Sequence, residues 1–545
     1  MAETGTRREI GQFDYVVIGA GSAGCVIANR LSRDRSKRVL VLEAGGMDDW
    51  IWFHIPVGYL FAIGNPRADW MFRTQPQPGL GGRELAYPRG KVLGGSSAIN
   101  AMVYMRGQAA DYDGWRQRGL AGWGWDDVLP YFLRHEDHID MPADAFHRQG
   151  GEWRVEHPRV RWPILDAIRD AAEAAGIRKI ADFNTGDNEG SSYFQVNQRR
   201  GQRVSAFRAF LRPVLTRPNI RLEGDVLVER IVVEDGRARA VEFSHGGEKL
   251  SVSVRGEVVL SAGAIGSPAL LERSGIGQGE RLSQLGIPLV ADLPGVGENL
   301  HDHLQFRPVY KVSGVRTLNG DYGKLWRRPL MALQYAAMRS GPLTMAPSQV
   351  GAFARSSPDH DTANLQYHFQ PLSLDSWGAG LHPFDAFTAS VCNLRPTSRG
   401  SSHVVSREAP DAPAISPNYL DTDEDRQVAI EAMKLTRRIV AQAPLQRFAP
   451  EEYLPGPVAQ SDEELLAAAQ QLATTIFHPV GTARMGTKED RGAVVDERLR
   501  LYGVQGIRVI DASVMPQITS GNTANPTMMI AEKGVEMLMQ DAKTV

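Results

Sequence analysis

The pattern of apolar and polar positions near the N-terminus predicts a strand, a tight turn, a helix and a second strand. Residues 13–18 (Phe-Asp-Tyr-Val-Val-Ile) form an apolar run that leads directly into a glycine-rich turn. A helix is expected from Ala23 to about Ser32, followed by the apolar strand Val39–Leu42. Such a βαβ unit predicts a parallel sheet that is buried on both faces.

Further along the chain, the pattern predicts β structure in two regions. Residues 226–233 and 238–243 flank Glu-Asp-Gly, the sequence of a hairpin turn. The apolar run at 258–263 predicts a buried strand that returns to the site formed by the first glycine turn. Residues 306–420 mix short strands with loops rich in Pro and Ser, which indicates a second domain built on a sheet. Residues 50–89 carry scattered aromatic residues and prolines without a sustained period, so we expect irregular cover over a site.

Composition narrows the class of protein. A chain of 545 residues is too long for one compact core, so two or three domains are expected. Its 42% apolar and 23% charged residues are ordinary for a globular protein. The net charge of -2 argues against a nucleic-acid partner, because phosphate binding needs an excess of Lys and Arg.

The sequence offers no sign of export or of a membrane span. The first ten residues lack the apolar core of a secretory signal, and no run approaches the ~20 apolar residues of a spanning helix. A cytoplasmic protein is therefore expected, with peripheral contact at the inner membrane left open. Cys25 and Cys392 are too few for a disulfide framework or a metal centre, and Cys25 is interpreted as a packing residue.

The first glycine turn predicts a dinucleotide site. In Gly19-x-Gly21-x-x-Gly24, the first two glycines allow a tight turn and close approach of backbone N–H groups to a pyrophosphate, and the third lets helix and strand pack closely. Glu43 ends the second strand, 19 residues after the last glycine, where a carboxylate accepts hydrogen bonds from a ribose diol. NAD and FAD share this pattern, so the turn alone leaves both open.

A second stretch rich in Gly and Ser, residues 88–100, bears on the choice between the two cofactors. Such a loop can lay backbone N–H groups against a large planar cofactor, and the alternative is a flexible surface loop. With its continuation to Gly107, this stretch resembles the first signature of the glucose–methanol–choline (GMC) oxidoreductases. Residues 261–268, continuing to 277, match the second signature of that family. Residues 293–303 and the C-terminal blocks 478–482 and 522–526 also fit, so the resemblance runs from about residue 13 to 540 in family order, closest to the bacterial aliphatic-alcohol and choline-dehydrogenase-like branch.

The resemblance implies FAD as the cofactor. It places adenosine near Glu43 and Val228, the pyrophosphate on the first glycine turn, and the isoalloxazine against residues 94–102. The residues expected to bind FAD are Gly19, Gly21, Ser22, Ala23, Gly24, Glu43, Ala44, Arg89, Val92, Gly94, Gly95, Ser96, Asn100, Ala101, Met102, Val103, Val228, Ala262, Asp511, Ala512, Asn522 and Thr523. Some choline-type members attach FAD through a histidine of the Gly-Gly loop. The matching position here is Ile99, so non-covalent FAD is expected.

Pattern and resemblance together predict an α/β protein of two domains. The first is a Rossmann-like FAD-binding domain, and the second is a discontinuous substrate domain built on an antiparallel sheet. The expected segments are 1–156, 216–305 and 473–545 for the FAD-binding domain, and 157–215 and 306–472 for the substrate domain.

Alcohol oxidation needs a base within hydrogen-bond reach of the hydroxyl, and His478 is the candidate. A neutral imidazole is available near pH 7 because its reference pKa is about 6.5. Taken alone, one histidine among 13 is more often a buried structural residue, but the resemblance puts His478 at the catalytic position. Asn522 resembles the second catalytic residue of the family, where an amide can donate to the substrate oxygen. Its alternative role is that of a turn residue.

The sequence around residue 525 predicts a helix start. Asn525 before Pro526 and an apolar run is typical of an N-cap with Pro at N1, so we expect Asn525 to cap a helix ending at about Leu538. The positive end of that helix would face the pyrimidine edge of a flavin and stabilise its reduced form.

Four other residues have weaker assignments. His301 and His303 lack a carboxylate or cysteine at recognised spacing, so no metal site is expected. Phe477 is expected to line the substrate pocket, with core packing as the alternative. Gln349 is also placed in the pocket, where choline-directed relatives carry Glu, which makes choline a poorer substrate than an uncharged aliphatic or aromatic alcohol.

The expected function is FAD-dependent oxidation of a primary alcohol to an aldehyde by a dehydrogenase, with O₂, a quinone or an artificial electron acceptor taking the electrons. An oxidase that uses O₂ is the first alternative, because no motif reports oxygen access. A hydroxynitrile lyase that keeps FAD structurally is a second. An NAD-linked Rossmann protein or a non-catalytic binding module is a third. The oligomeric state is left open.

Overall fold

The computed structural model describes residues 7–375 and 380–544, and these form two large sheets with helices around them. The strands of the described residues are β1 Arg8–Ile18, β2 Val39–Leu42, β3 Glu136–His138, β4 Trp153–Val155, β5 Gly190–Tyr193, β6 Gln198–Arg199, β7 Gln202–Arg203, β8 Ile220–Glu223, β9 Val226–Glu234, β10 Arg237–His245, β11 Glu248–Leu260, β12 Ile276–Gly277, β13 Ala291–Asp292, β14 Leu304–Phe306, β15 Val309–Lys311, β16 Val350–Ala354, β17 Leu365–Gln370, β18 Ala386–Asn393, β19 Ser401–His403, β20 Ala414–Ser416, β21 Glu451–Leu454, β22 Thr474–Thr475 and β23 Ile507–Val509. The α-helices are α1 Ser22–Leu31, α2 Tyr59–Ala62, α3 Ala109–Gln117, α4 Trp125–His135, α5 Pro163–Ala174, α6 Gly263–Arg273, α7 Gly279–Gln284, α8 Leu318–Gly323, α9 Arg327–Met338, α10 Asp423–Val440, α11 Ala443–Gln446, α12 Asp462–Leu472 and α13 Ala524–Thr544.

The first sheet contains the βαβ unit predicted at the N-terminus. Its strands run in the order β8-β2-β1-β11-β10-β9, and β23 pairs with β11. The pairs β8–β2, β2–β1, β1–β11 and β11–β23 are parallel. Helix α1 starts one residue earlier than predicted and packs against α13, and β2 has the predicted bounds. Burial on both faces explains why β2 is apolar at every position.

The predicted hairpin and returning strand are confirmed. Strands β9 and β10 are antiparallel and meet at a turn in which Asp235 and Gly236 have φ of +50° and +71°. Strand β11 pairs with β10 through its first half and with β1 over most of its length, so it joins the hairpin to the parallel strands. The same packing buries Cys25 on α1, and this burial raises the pKa of its thiol, as expected for a packing residue.

Each pair of neighbouring strands in the second sheet is antiparallel over the described residues. Its order is β21-β15-β18-β17-β16-β5, and β14 joins β18 to β22. Helices α5 and α10 pack on one face, and Tyr367 of β17 donates its hydroxyl to Ala432 O on α10. Because side chains alternate across a strand, the neighbours of Tyr367 on β17 face the other way, toward the first sheet. The predicted fold class, a Rossmann-like domain with a discontinuous domain on an antiparallel sheet, is confirmed.

The five predicted domain segments stay a prediction. The first sheet takes its strands from residues 8–42, 220–260 and 507–509, and the second from residues 190–193, 304–393 and 451–475. Strand β22, which was expected in the FAD-binding part, pairs with β14 of the second sheet.

The last helix corrects one assignment. Helix α13 begins at Ala524 and runs to Thr544, so Asn525 lies inside its first turn and is not its cap. The side-chain oxygen of Asn525 accepts from Trp153 Nε1 at 2.8 Å, and its amide donates to Met105 O at 3.1 Å. Contacts with distant segments therefore override the local capping pattern. Over residues 7–375 and 380–544, no helix is both long enough and apolar enough to cross a membrane.

Candidate active site

The first glycine turn is shaped by close backbone contacts. Gly19 has φ of +99°, and a Cβ on it would lie 2.6 Å from Ser261 O at the end of β11. A Cβ on Gly24 would lie 1.8 Å from Gly19 O, so any side chain there would push α1 away from β1. Glycine is therefore required at both positions. The turn leaves the N-terminus of α1 facing a cavity between the two sheets.

The second glycine stretch packs directly on the first. Gly95 has φ of +53°, and a Cβ built on it would lie 2.8 Å from Gly21 Cα. The neighbouring Gly94 donates its N–H to Ala20 O at 2.8 Å. A short helical turn follows over Gly95–Ala98. The two stretches meet at Gly21 and Gly95, which are 74 residues apart on the chain. They therefore form one wall of the same cavity, and the surface-loop alternative is excluded.

Glu43 stands at the carboxyl end of β2, where a ribose partner was expected. Its two carboxylate oxygens accept backbone N–H groups from Ala20 at 2.7 Å and from Gly45 at 2.8 Å. Burial raises the pKa of Glu43 to about 7, although these hydrogen bonds act in the opposite direction. The carboxyl group lines the cavity and keeps lone pairs for a further donor.

Three helix N-termini meet at the cavity. First-turn residues of α1, α6 and α13 line it, so three positive dipole ends point at one space. Asp511, at the end of β23, ties this region together. Its carboxylate accepts from Gly263 N and Ser267 Oγ of α6 at 2.8 and 2.6 Å, and from Ser513 N at 2.8 Å. Glycine turns, dipoles and the carboxyl group of Glu43 together fit a dinucleotide cofactor.

Asp302 fixes the backbone that carries His478. Its Oδ1 accepts the N–H of His478 at 2.7 Å. Its Oδ2 accepts from Thr475 Oγ1, Tyr419 OH and Tyr87 OH at 2.5, 2.6 and 3.1 Å. Burial raises the pKa of Asp302, and the surrounding donors oppose that rise. One buried carboxylate therefore ties together three chain segments, those of Tyr87, Tyr419 and residues 475–478, around the histidine.

The residue before His478 has an unusual backbone conformation. Phe477 has φ of +71°, in the left-handed region that bulky residues rarely occupy. Its N–H donates to Thr475 Oγ1 at 2.7 Å, and its carbonyl accepts from Arg89 Nη2 at 2.7 Å. Both contacts hold the conformation that turns Phe477 and His478 toward the cavity, which both residues line.

A chain of hydrogen bonds sets the proton positions on the His478 ring. His303 Nε2 lies 3.2 Å from Leu394 O, which can only accept, so this nitrogen carries the proton. Burial lowers the pKa of His303 to about 4, so the ring is neutral and its Nδ1 is an acceptor. His478 Nδ1 lies 3.1 Å from that atom and must therefore donate. Burial, followed by His303, His368 and Arg89, holds the pKa of His478 well below 6.5, which leaves Nε2 unprotonated.

Asn522 completes the chain on the other side of the ring. Its Nδ2 lies 3.2 Å from His478 Nε2, and its Oδ1 accepts from Gln366 Nε2 at 3.2 Å. The amide orientation follows from both contacts, because Nε2 of His478 can only accept. A second N–H of the Asn522 amide remains for another acceptor. The cavity therefore contains an unprotonated imidazole nitrogen beside an amide donor.

Most of the predicted site residues line this cavity. They are Gly19, Gly21, Ser22, Ala23, Glu43, Ala44, Arg89, Gly95, Ser96, Asn100, Ala101, Met102, Val103, Val228, Ala262, Phe477, His478, Asp511, Ala512, Asn522 and Thr523. Gly24, Val92 and Gly94 do not line the cavity themselves. They contact the backbone that does, and so determine how closely the glycine stretches pack.

The placement of Gln349 is corrected. It is fully buried outside the cavity, and its amide donates to Val160 O at 3.0 Å. The preceding Ser348 lines the cavity instead. Successive residues entering β16 point to opposite sides, which explains why the neighbour rather than Gln349 faces the site.

Three further side chains belong to the site but were not assigned to it from the sequence. His303 binds the His478 ring, Gln366 orients Asn522, and His368 lines the cavity. Strand β17 reads Leu-Gln-Tyr-His-Phe-Gln, a strict alternation that would have indicated one polar face. The rings of His301 and His303 do not share an ion, because both nitrogens of each ring have protein partners.

The chain resembles known proteins over nearly its whole length. Residues 13–305 and 396–531 match the N-terminal and C-terminal family models described as GMC oxidoreductase. The chain is 39% identical to "Alcohol dehydrogenase [acceptor]" of Pseudomonas putida, over 97% of this chain and 96% of that protein. It is also 39% identical to "Choline dehydrogenase, mitochondrial" of Homo sapiens, over 97% and 90% of the two chains. The solved structure of an FAD-dependent oxidoreductase from Chaetomium thermophilum superposes with a TM-score of 0.90 at 26% identity, over 97% and 100% of the two chains.

Proposed function

The chain belongs to the GMC oxidoreductases, and on this basis we propose that it oxidises an uncharged primary alcohol to an aldehyde with non-covalently bound FAD. The observation that carries the proposal is the His478 ring. Its unprotonated Nε2 adjoins the Asn522 amide in the cavity that both glycine stretches line.

The residues of the cavity fit FAD. Glu43 would accept from the adenosine ribose, and the N-terminus of α1 at Ser22 would face the pyrophosphate. The 94–103 stretch and the N-terminus of α13 would hold the flavin end. When bound, FAD supplies a hydride acceptor at N5 of its ring system. The other steps fall to side chains of this protein.

Non-covalent attachment is supported by Ile99. This residue lines the cavity, and its apolar side chain packs among Phe53, Ala62 and Ala98. It carries no nucleophile for a bond to the flavin. Acid denaturation followed by ultrafiltration should release the yellow chromophore into the filtrate, and flavin retained on the precipitated protein would contradict this part of the proposal.

His478 is the base of the proposed reaction. Its Nε2 takes the hydroxyl proton of the alcohol, which makes the adjacent carbon a better hydride donor. One N–H of the Asn522 amide donates to the alcohol oxygen as negative charge develops there. His303 accepts from His478 Nδ1 throughout, so it fixes the tautomer and stabilises the ring once Nε2 has gained the proton.

An uncharged substrate is supported by the side chains that the second sheet presents. Its strands line the cavity with Gln305, His368 and Gln370. Burial lowers the pKa of His368 to about 3, so this ring is neutral. The carboxyl groups lining the described part of the cavity belong to Glu43, Asp411 and Asp511, of which Glu43 and Asp511 lie on the dinucleotide side. Asp302 holds the backbone N–H of His478 but does not line the cavity, and among the described residues the His478 ring is hydrogen-bonded to His303 and Asn522 rather than to a carboxylate. This neutral surrounding of the ring favours an uncharged alcohol over a quaternary ammonium group.

We further propose that the enzyme is a dehydrogenase, with a quinone-type acceptor preferred over O₂. The support is the likeness to the Pseudomonas putida protein, whose name specifies an acceptor, over almost the full length of both chains.

The experiment is anaerobic stopped-flow mixing of the yellow protein with 1-butanol, benzyl alcohol and choline. Both neutral alcohols should bleach the flavin, and choline should do so more slowly. The reduced protein is then mixed with a quinone or with air-saturated buffer, and faster recovery of colour is expected with the quinone. A protein that no alcohol bleaches contradicts the proposed reaction. Fastest bleaching by choline, or fastest recovery in air, contradicts the substrate or acceptor assignment alone.

A further inference from the structure

One surface helix of this protein presents an apolar face to solvent. Helix α9 is held to the body by Met331 and Tyr335, which are buried, and Tyr335 donates its hydroxyl to Gly201 O at 3.1 Å. Its opposite face exposes Pro329, Leu330, Leu333, Ala336 and Ala337. The solvent-facing side of a surface helix normally carries charged residues, whereas the solvent-facing side of α9 is apolar.

The apolar surface extends beyond the helix. Leu325 and Trp326, immediately before α9, are 72% and 62% exposed, and Leu333 and Met338 are 64% and 61% exposed. We call Leu325, Trp326, Leu330, Leu333 and Met338 the apolar ledge. Side chains of this size are rarely exposed together on one short segment unless another apolar phase covers them.

Positive charge surrounds the apolar ledge. Residues 322–358 contain no Asp or Glu, whereas Lys324, Arg327, Arg328 and Arg339 lie at the two ends of α9. Arg327 is paired with the buried Asp321, but Lys324 and Arg328 are exposed. This local excess of cations occurs in a chain whose net charge is only -2. Trp and Leu on one side and Lys and Arg at the edges are typical of a helix that lies in a membrane interface.

The ledge adjoins a wall of the active-site cavity. The chain leaves α9 through the turn Pro342–Thr344, which packs on the turn Pro56–Gly58. Pro347 and Ser348 follow the first turn and Tyr59 follows the second, and all three line the cavity. Ile51 and Phe61, near the second turn, are also exposed.

We propose that the apolar ledge docks on an anionic lipid bilayer, with helix α9 lying in the plane of the headgroups. The leucines and Trp326 enter the boundary with the acyl chains, and Lys324 and Arg328 contact anionic headgroups. This position brings the adjoining cavity wall close to the bilayer, from which an apolar alcohol or a lipid-soluble acceptor can be taken up.

A second copy of the chain fits this surface less well. A two-fold symmetric contact places the same patch on both partners, so the cations of one patch, Lys324, Arg328 and Arg339, would face an equally cationic patch. Like charges at such a contact repel, whereas the same cations attract an anionic bilayer.

The test is co-sedimentation of the full-length FAD-loaded protein with vesicles. One set contains phosphatidylcholine alone, and the other contains phosphatidylcholine with phosphatidylglycerol. The protein should pellet with the anionic vesicles, and less so at about 1 M salt, where the Debye length falls to about 3 Å. The double variant Leu330→Glu/Leu333→Glu should lose at least about tenfold of this binding, because it puts two charges on the inserted face.

A matched control separates docking from a general effect of added charge. Leu289→Glu changes a leucine that is 54% exposed, like Leu330, and that lies on another part of the surface, so it should bind vesicles as the parent does. Flavin content and turnover with a water-soluble acceptor should be unchanged in both variants, which shows that the fold is intact. Parent protein that ignores anionic vesicles, or a double variant that still pellets, overturns the proposal. A parent dimer that the double variant converts to monomers, without vesicle binding by either, assigns the ledge to self-association instead.

Discussion

His478 and His147 are both buried, and both nitrogens of each ring have a hydrogen-bond partner. The partners of His147 are carboxylates, whereas those of His478 are neutral. His147 Nδ1 lies 3.1 Å from Glu136 Oε1, and its Nε2 lies 2.9 Å from Asp182 Oδ2. Burial alone would lower the pKa of His147, but hydrogen bonds to the two carboxylates raise it to about 9. Glu136 is in turn held ionised by Arg106 at 2.8 Å.

Among residues 7–375 and 380–544, no carboxylate is hydrogen-bonded to the His478 ring. Asp302, the acid beside it in the fold, binds the backbone N–H of His478 and leaves the ring to His303 and Asn522. Burial is then unopposed, and the pKa of His478 falls well below 6.5. At neutral pH the same side chain is thus a cation in one place and a neutral imidazole in the other. The hydrogen-bond partner of the ring, rather than its burial, therefore decides the protonation state of a buried histidine.

The largest expected effect follows from loss of the proposed base, His478. His478→Ala should keep its yellow colour but slow flavin reduction by about 10²–10⁴-fold, the usual range for general-base catalysis. His147→Ala is the matched control. It should lower the unfolding temperature and leave the reduction rate per bound flavin near that of the parent. Stopped-flow absorbance and thermal unfolding measure the two effects, and near-normal reduction by His478→Ala would remove this residue from the mechanism.

Asn522→Asp should make the active site resemble the His147 site. A carboxylate beside Nε2 raises the pKa of His478, by about 1–3 units for a close opposite charge. Each unit costs about tenfold in the fraction of free base once the pKa exceeds the working pH. The reduction rate should therefore fall more at pH 6.5 than at pH 9, whereas Asn522→Ala should slow the reaction to a similar extent at both. Identical pH profiles for the two variants would show that the ring is insensitive to a neighbouring charge.

His303→Leu should slow flavin reduction less than His478→Ala or Asn522→Asp does. The leucine cannot accept from Nδ1–H, so the reactive tautomer of His478 is no longer favoured. A loss of about 10- to 100-fold in the reduction rate is expected, as when the partner that orients a ligating histidine is removed elsewhere. His303→Gln offers an acceptor for Nδ1–H and a donor for Leu394 O, so it should recover part of the rate. Equal rates in the Leu and Gln variants would mean that His303 acts only by packing.

The smallest predicted effect is on stability at alkaline pH. His147 and His403 each have a pKa raised to about 9, above the ordinary value of 6.5. A raised pKa stabilises the folded protein fully below 6.5, and this contribution is lost as the pH rises through about 9. The unfolding temperature should fall over this interval, by about 2–4 °C for each kcal/mol in domains of this size. The flavin-reduction rate should not fall with it, since the base is already neutral.

The double variant His147→Gln/His403→Gln tests the origin of that pH dependence. It should be less stable than the parent at pH 6.5 and show a flatter decline toward pH 9. A decline as steep as that of the parent would place the titrating groups elsewhere in the molecule.

Local sequence was sufficient where a residue meets its own neighbours. Gly24 is required by its close contact with Gly19 O in the same turn, and the burial of β2 on both faces is evident from its four apolar residues. Glu43 follows from its place at the end of that strand. Such features need no knowledge of distant segments, because sterics and burial act on the pattern itself.

Local sequence failed where a distant segment decides. Asn525 has the pattern of a helix cap, but Trp153, 372 residues away, takes its side-chain oxygen. His303 acts on a ring 175 residues later, and no spacing rule connects them. Ser348, and not its neighbour Gln349, lines the cavity. Which of the two residues faces it is decided by how β16 pairs with β17 and β5. These cases depend on tertiary register rather than on composition or periodicity.

The four hydrogen bonds on the side chain of Asp302 make catalysis a reporter of domain assembly. Tyr87, Tyr419 and the segment that carries Thr475 and His478 reach this carboxylate from three stretches of the chain, so His478 has its observed orientation only after those stretches have docked. During refolding, alcohol turnover should accordingly return later than the bulk of the helical signal. Tyr419→Phe changes a residue outside the cavity and removes one of these hydrogen bonds. It should lengthen the lag and leave His478 less precisely oriented.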